Sequence, residues 1–288
     1  MNTLAEPLGE WYRACARDLP WRDPAVGPWG ILVSEIMLQQ TPAARVVPFW
    51  HAWLAVWPRP SDLAAAAPAE VIQAWGTLGY PRRALRLREC ASVIACQYRD
   101  VVPADETTLR SLPGIGEYTA AAVAAFAYGQ RTVVLDTNIR RVIARAYGGE
   151  ALPPPTLSNE ERATAAALLP TGRAESVTWN QASMELGATI CASRTWACDS
   201  CPVKELCAWR TAGYPGDLHA GRRRTQPWEG THRQARGRIL ALLREAEGES
   251  VPVAALLPVH RAAARAITTL VADGLAVRDG EALRLPGP

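Results

Sequence analysis

Four cysteines in one short stretch restrict this chain more than any other feature. Cys191, Cys198, Cys201 and Cys207 follow the spacing C-x6-C-x2-C-x5-C within 17 residues. Four thiolates this close in sequence can converge on one soft metal centre. The opening stretch, Met1 to Trp21, mixes charged with apolar residues and does not read as a signal peptide, so a disulfide framework is not expected. Structural zinc sites usually draw on two C-x2-C pairs, and only one such pair is present. Iron–sulfur clusters accept consecutive ligation of this kind. Spacing therefore favours a cluster and leaves zinc as the rival. The other three cysteines, Cys15, Cys90 and Cys96, read as small buried hydrophobes.

The chain has 288 residues, 49% of them hydrophobic, enough for one large domain or two to three small ones. No apolar run approaches the roughly 18 residues of a membrane span, so a soluble, cytoplasmic protein with no membrane partner is expected. A net charge of +3 permits nucleic-acid binding without arguing for it. Of 31 basic residues only one, Lys204, is lysine.

Most of the chain reads as helix. Helical periodicity covers Leu4 to Ala16, Gly30 to Gln40, Pro42 to Trp57, Arg82 to Tyr98, Glu117 to Tyr128, Asn138 to Tyr147 and Glu175 to Ile190. Ser61 reads as the cap of a short helix through Ala67, with Pro68 opening the next one. No strand ladder is expected before residue 270. Residues 213–230, with Gly, Pro and the run Arg222-Arg223-Arg224, read as a linker. Beyond it, helices are expected at Gln234 to Glu245, Val251 to Leu257 and Arg261 to Ala272, the last ended by Gly274. Two short strands flanking Asp279-Gly280 then make a hairpin, and three helices plus a hairpin describe a winged helix.

Upstream of the cysteines, Leu112-Pro113-Gly114-Ile115-Gly116-Glu117-Tyr118-Thr119-Ala120 opens a helix. Gly114 and Gly116 let the backbone turn tightly, and the helix start adds exposed N–H groups and a positive dipole end. The result is a phosphate cradle that needs no side chain. A G-x-G turn alone is weak evidence; the full L-P-G-x-G-x-x-T-A pattern is a helix–hairpin–helix signature.

With Asp136 and the four cysteines, these residues resemble the helix–hairpin–helix (HhH-GPD) DNA glycosylases, and within them the mismatch-specific adenine glycosylases, the MutY family. The resemblance runs from about residue 8 to 215. It is carried by Leu19-Pro20-Trp21-Arg22, Ser34-Glu35-Ile36-Met37-Leu38-Gln39-Gln40-Thr41, Leu78-Gly79-Tyr80, Leu135-Asp136-Thr137-Asn138 and Trp179 to Ala188. It implies a mainly α, two-lobed fold with a [4Fe–4S] cluster held by Cys191, Cys198, Cys201 and Cys207. The expected organisation is an iron–sulfur lobe from residues 1–28 and 141–212, a six-helix lobe from 29–140, a linker at 213–230 and a winged-helix-like module at 231–288. Many members of the family carry a Nudix-like C-terminal domain that recognises 8-oxoguanine; residues 231–288 do not read as one. Pro81 also interrupts the family's doubled tyrosine after Gly79.

The resemblance implies a monomer acting on double-stranded DNA that contains adenine opposite 8-oxoguanine or guanine, nucleoid-associated if the host is a bacterium. Cleaving an N-glycosidic bond requires neutralising the departing base and stabilising a cationic sugar, the work paired carboxylates do in sugar hydrolases. The implied general acid is Glu35, protonating adenine N7, with its pKa expected to be raised by burial beside Ile36, Met37 and Leu38. Asp136 would face C1′, with Asn138 and Tyr118 beside it. Base extrusion needs a wedge and a pocket: the resemblance implies Gln40 and Tyr80 as the wedge, Gln39 and Thr41 as further DNA-binding residues, Trp21 and Arg22 lining the adenine pocket, Gln181 reading the adenine edge, and Gly114 and Gly116 meeting the DNA backbone. Related glycosylase–lyases carry a lysine where this chain has Tyr118, and Lys204 lies between cluster ligands, so the Schiff-base nucleophile of a lyase step is missing. An endonuclease-III-like glycosylase for oxidised pyrimidines and an iron–sulfur DNA-binding regulator are the alternatives. The first lacks its lysine here, and the second leaves the two acids unexplained.

Overall fold

The computed structural model of the protein describes residues 2–222 and 229–287. Helices dominate, as the periodicity implies. Contacts divide the chain into two compact units: Met1–Pro24, Ala104–Arg110 and Gly116–Arg224 form the first, and Ala25–Pro103, Ser111–Ile115 and Thr225–Pro288 the second. Among the described residues no helix is long and apolar enough to cross a membrane. Of the basic run 222–224, Arg223 and Arg224 lie outside the described residues.

The first unit is built on helices Ala5–Cys15, Glu117–Tyr128, Thr137–Ala146, Asn159–Leu168 and Arg173–Thr189. Their shared core contains Leu8, Ala121, Ala125, Ile139, Leu168, Trp179 and Leu186. The alanine-rich helix Glu117–Tyr128 joins this core, whereas the sequence boundary at 29–140 groups it with the other lobe. Asn159–Leu168, absent from the sequence reading, starts with a capping box in which Ser158 accepts from the Glu161 N–H and Glu161 accepts from the Ser158 N–H.

The second unit contains Pro28–Leu38, Ala43–Val56, Pro60–Ala65, Pro68–Trp75 and Arg82–Gln97. Pro28 and Pro68 open their helices at positions where the missing N–H costs nothing. Ser61 is not a cap. The cap is Arg59, whose N–H is accepted by Asp62, while Ser61 lies inside the helix and donates to Asp100 at 2.7 Å. Cys90 is buried, but Cys15 and Cys96 are exposed, because each falls on the outer side of its helix end.

The C-terminal module also belongs to the second unit. It comprises helices His232–Glu245, Val253–Leu256 and Ala263–Ala272 and a three-stranded antiparallel sheet of β1 (Val251–Pro252), β2 (Val277–Asp279) and β3 (Ala282–Arg284), ordered β1-β3-β2. This is a winged-helix arrangement. Two details depart from expectation. Residues 251–252 are strand and not helix, paired to β3 through Val251 and Leu283. The turn lies at Gly280-Glu281, one residue later than expected, since Asp279 already pairs with Ala282; Gly280 supplies the left-handed conformation at φ +56°. The module's core includes Ile72 from Pro68–Trp75, so it is packed against that helix.

Candidate active site

Within the first unit, Asp136 caps helix Thr137–Ala146. One carboxylate oxygen accepts from the Ile139 N–H at 2.6 Å and the other from Asn138 Nδ2 at 2.8 Å. Burial pushes its pKa above the ordinary carboxylate value, and these hydrogen bonds, with the more distant charge of Arg141, only partly oppose that. Asn138 is itself held. Its amide oxygen accepts from Arg141 Nη2 at 2.8 Å, and the same guanidinium donates to Gly187 O at 2.6 Å and to Cys191 O at 2.7 Å. A continuous hydrogen-bonded path thus runs from the backbone of the first clustered cysteine to Asp136. Gly187 makes the path possible: a Cβ there would sit 2.6 Å from Asn138 Cβ and 3.0 Å from its carbonyl oxygen.

Trp21 is buried and Tyr118 and Gln181 are half-buried. Arg22 is tied to scaffold: it donates to Glu185 at 2.7 Å and to Arg17 O at 2.9 Å. Arg17 grips the same carboxylate through both Nε and Nη2, at 2.6 and 2.9 Å. Burial would raise the pKa of Glu185, but the two guanidinium groups more than reverse this and hold it at about 2. Glu185 and Arg17 escaped the sequence reading; the available signal was a lone acid between Ala182 and Leu186 on a buried helix face.

The four cysteines line one small cavity, walled by Val142, Leu186, Ile190 and Trp196 and approached by Arg145 and Lys204. Arg145 is buried between the rings of Trp196 and Trp209, at 5.2 and 4.4 Å, and donates to Cys191 Sγ at 3.3 Å. Among the described residues no three His, Cys, Asp or Glu side chains draw together tightly enough to hold a single metal ion. Four thiols lining one cavity match the all-cysteine donor set of an iron–sulfur cluster. Of the loop cations, Arg210 is paired with Glu205 at 3.0 Å and Lys204 donates to Asp199 O at 3.1 Å.

Within the second unit, helix Pro28–Leu38 is apolar all round and buried almost throughout, which carries Glu35 inside with only 4% of its surface exposed. The chain then reverses. Gln40 takes a left-handed conformation at φ +57°, and Tyr80 does the same at φ +48° on the neighbouring loop. For residues with a Cβ this backbone is uncommon and needs support. Thr41 supplies part of it, its hydroxyl lying 3.3 Å from Gln39 O and 3.2 Å from Leu78 O. Arg83 supplies the rest: it donates to Ile36 O at 2.7 Å, Gln39 O at 2.6 Å and Gly79 O at 3.0 Å. Desolvation lowers its pKa to about 10. Nothing in the sequence singled out Arg83. Gly114 has φ +78°, and a Cβ there would meet Arg86 at 2.9 Å; Gly116, at φ −93°, is ordinary extended backbone.

Residues 33–166 match the HhH-GPD superfamily of base excision DNA repair proteins. The chain is 51% identical to the adenine DNA glycosylase of Mycobacterium tuberculosis over 96% of its own length and 91% of the relative's. It is 40% identical to the human adenine DNA glycosylase, covering 70% of this chain and 38% of that one. Among solved structures, a thermostable thymine-DNA glycosylase superposes with a TM-score of 0.64 at 29% identity, over 73% of this chain and 95% of that chain. A trapped endonuclease III–DNA covalent intermediate gives 0.62 at 21% identity, over 73% and 95%, a likeness of fold. Hairpin, helical fold and matched residues define a helix–hairpin–helix base-excision repair protein. More narrowly, the chain belongs to the adenine DNA glycosylase family, hydrolases of N-glycosyl bonds.

Proposed function

We propose that the protein extrudes adenine paired with 8-oxoguanine or guanine from duplex DNA and hydrolyses its N-glycosidic bond, leaving an abasic site without strand cleavage. Glu35 serves as the general acid at adenine N7. Asp136 stabilises the positive charge that develops at C1′, or bonds to it transiently before water attacks. Asn138 favours the ionised form of that carboxylate by donating to it, and Tyr118 is assigned to the same step. Gln40 and Tyr80 form the wedge, with Gln39 and Thr41 bracing the loop behind it; Trp21 and Gln181 line the adenine pocket, Arg22 borders it from its anchor on Glu185, and Gly114 and Gly116 make a backbone-phosphate contact.

The observation that carries the reading is the environment of Asp136: a half-buried carboxylate held by neutral donors, with desolvation keeping it above its ordinary pKa. Such a group in a repair fold is suited to chemistry. Cys191, Cys198, Cys201 and Cys207 would hold a [4Fe–4S] cluster, which cross-links the loop between them. The chain itself holds the rest of that loop through Arg145, Trp196 and Trp209.

The decisive experiment uses labelled duplexes with adenine opposite 8-oxoguanine, adenine opposite guanine, or thymine glycol, followed by alkali. Excision is expected from the first two only. Glu35→Gln and Asp136→Asn should each slow single-turnover release by about a hundredfold or more. Retained excision in either variant would remove that residue from the mechanism. Borohydride trapping of a protein–DNA adduct would contradict the monofunctional reading.

A further inference from the structure

A cavity of about 900 Å³ lies wholly within the second unit, and the C-terminal module forms one of its walls. The opposite wall carries Gln39, Gln40, Tyr80 and Gly114. Seven arginines line it, and among the described lining residues there is no carboxylate. Two acids stand just behind: Asp273 pairs with Arg236 at 2.7 Å and Arg82 at 3.2 Å, and Glu89 with Arg86 at 2.8 Å. The surplus is strongly cationic.

The module's contribution comes from one face of helix His232–Glu245. Arg233, Arg236, Gly237, Ala241 and Arg244 recur at helical spacing and face the cavity. The opposite stripe, Ala235, Ile239 and Leu243, is buried in the module's own core. Gly237 leaves open space where a side chain would stand. Arg233 reaches furthest: Nη1 donates to Tyr80 Oη at 2.5 Å, and its guanidinium lies 5.5 Å from the ring centroid. Arg83 approaches the same ring at 5.5 Å. Tyr80 is 41% exposed. An exposed aromatic gripped by guanidinium groups, beside amide side chains and a glycine hairpin, offers stacking for a base and charge for the phosphates that flank it. A single inorganic anion would need a fraction of this surface.

We propose that the winged-helix module is a DNA-binding wall of this cavity, with Arg233 contacting a backbone phosphate of the duplex next to the base that meets Tyr80. The module thus binds DNA through the outer face of its first helix and not through its β2–β3 wing. The proposal rests on the glycosylase reading for the identity of the polyanion, but its test needs no turnover.

The full chain is titrated onto a duplex carrying 2′-fluoro-2′-deoxyadenosine opposite guanine, whose electron-poor C1′ resists loss of the base. Binding is measured across a salt series for the unmodified protein, Arg233→Gln, and Arg278→Gln in the exposed wing. Arg233→Gln should weaken binding about threefold to tenfold and lower the slope of log affinity against log salt by about one. Arg278→Gln should leave both unchanged. Equal affinity and slope for Arg233→Gln overturn the proposal, as does an effect confined to Arg278→Gln, which would put DNA on the wing. Arg233→Lys, which keeps the charge, is a second probe: it should retain the unmodified salt slope, and a slope lowered as far as in Arg233→Gln would count against a phosphate contact. If the unmodified protein releases adenine from no mismatch, the glycosylase reading fails while this binding comparison still stands or falls alone.

Discussion

Asp136 and Glu185 are both carboxylates inside the first unit, and their surroundings push them in opposite directions. Glu185 is met by two guanidinium groups and held at about 2. Asp136 is met by a backbone N–H and an amide, and burial wins, raising its pKa. Desolvation acts on both, so the difference lies in the donors. Full charges fix a carboxylate as a permanent anion and make it scaffold. Neutral donors align it while leaving its charge available to respond to a developing cation. Arg22 falls on the scaffold side of this division, since its strongest partner is Glu185.

The largest effect should come from breaking the scaffold pair. Glu185→Ala strands Arg17 and Arg22 beside a cavity. Buried pairs cost about 3–5 kcal/mol to break, but Arg17 is 42% exposed and water screens part of the loss, so about 2–3 kcal/mol is expected in denaturant unfolding. The pH dependence has a definite sign. A depressed carboxylate stabilises the fold fully above its unfolded pKa of about 4.3. That contribution should disappear as pH falls towards about 2, and the variant should lack this acid transition. A variant within about 0.5 kcal/mol of the unmodified protein would show that the clamp is ornamental.

Next in size is Gly187→Ala. Its methyl group would press on Asn138, whose Cα and O both lie at 3.0 Å, so backbone has to move. Overpacking of this kind costs about 1–3 kcal/mol. Excision should fall further than stability does, because Asn138 positions Asp136. Asn138→Ala, a smaller change, removes one donor to the ionised carboxylate at 2.8 Å. The pKa of Asp136 should rise further, and the acid limb of the single-turnover pH–rate profile should move to higher pH. An unmoved limb would separate Asp136 from the titration that governs the rate.

Much of this division was legible in the sequence, but unevenly. Asp136 was singled out by the family resemblance, and the structure adds that it caps the helix it precedes. The helix Glu117–Tyr128 was readable to the residue, since Gly116 and Gly129 bracket it. Glu185 and Arg17 were not legible as a pair: they are far apart in sequence, and only the packing of Ala5–Cys15 against Arg173–Thr189 brings them together. Arg83 was hidden for a related reason. Its partners are carbonyl oxygens of two separate loops, and backbone acceptors leave no trace in residue identity. Local errors arose where a tertiary partner outbid a local one. Ser61 has the chemistry of a cap, but Asp100 claims its hydroxyl.

The smallest expected effect is the sharpest test of the comparison. A carboxylate whose folded pKa is raised favours folding while protonated; that contribution is present below the unfolded pKa and lost as pH rises through the folded value. At neutral pH the ionised Asp136 should therefore cost the protein stability, the opposite of Glu185. Asp136→Asn keeps an oxygen to accept from the Ile139 N–H, and Asn is as good a helix cap as Asp. It never ionises. The variant, inactive in excision, should unfold at a higher temperature than the unmodified protein at pH 7, and the gap should close as pH falls below about 4, where both side chains are neutral. If Asp136→Asn is instead less stable at pH 7, its hydrogen bonds outweigh burial, and both carboxylates are scaffold.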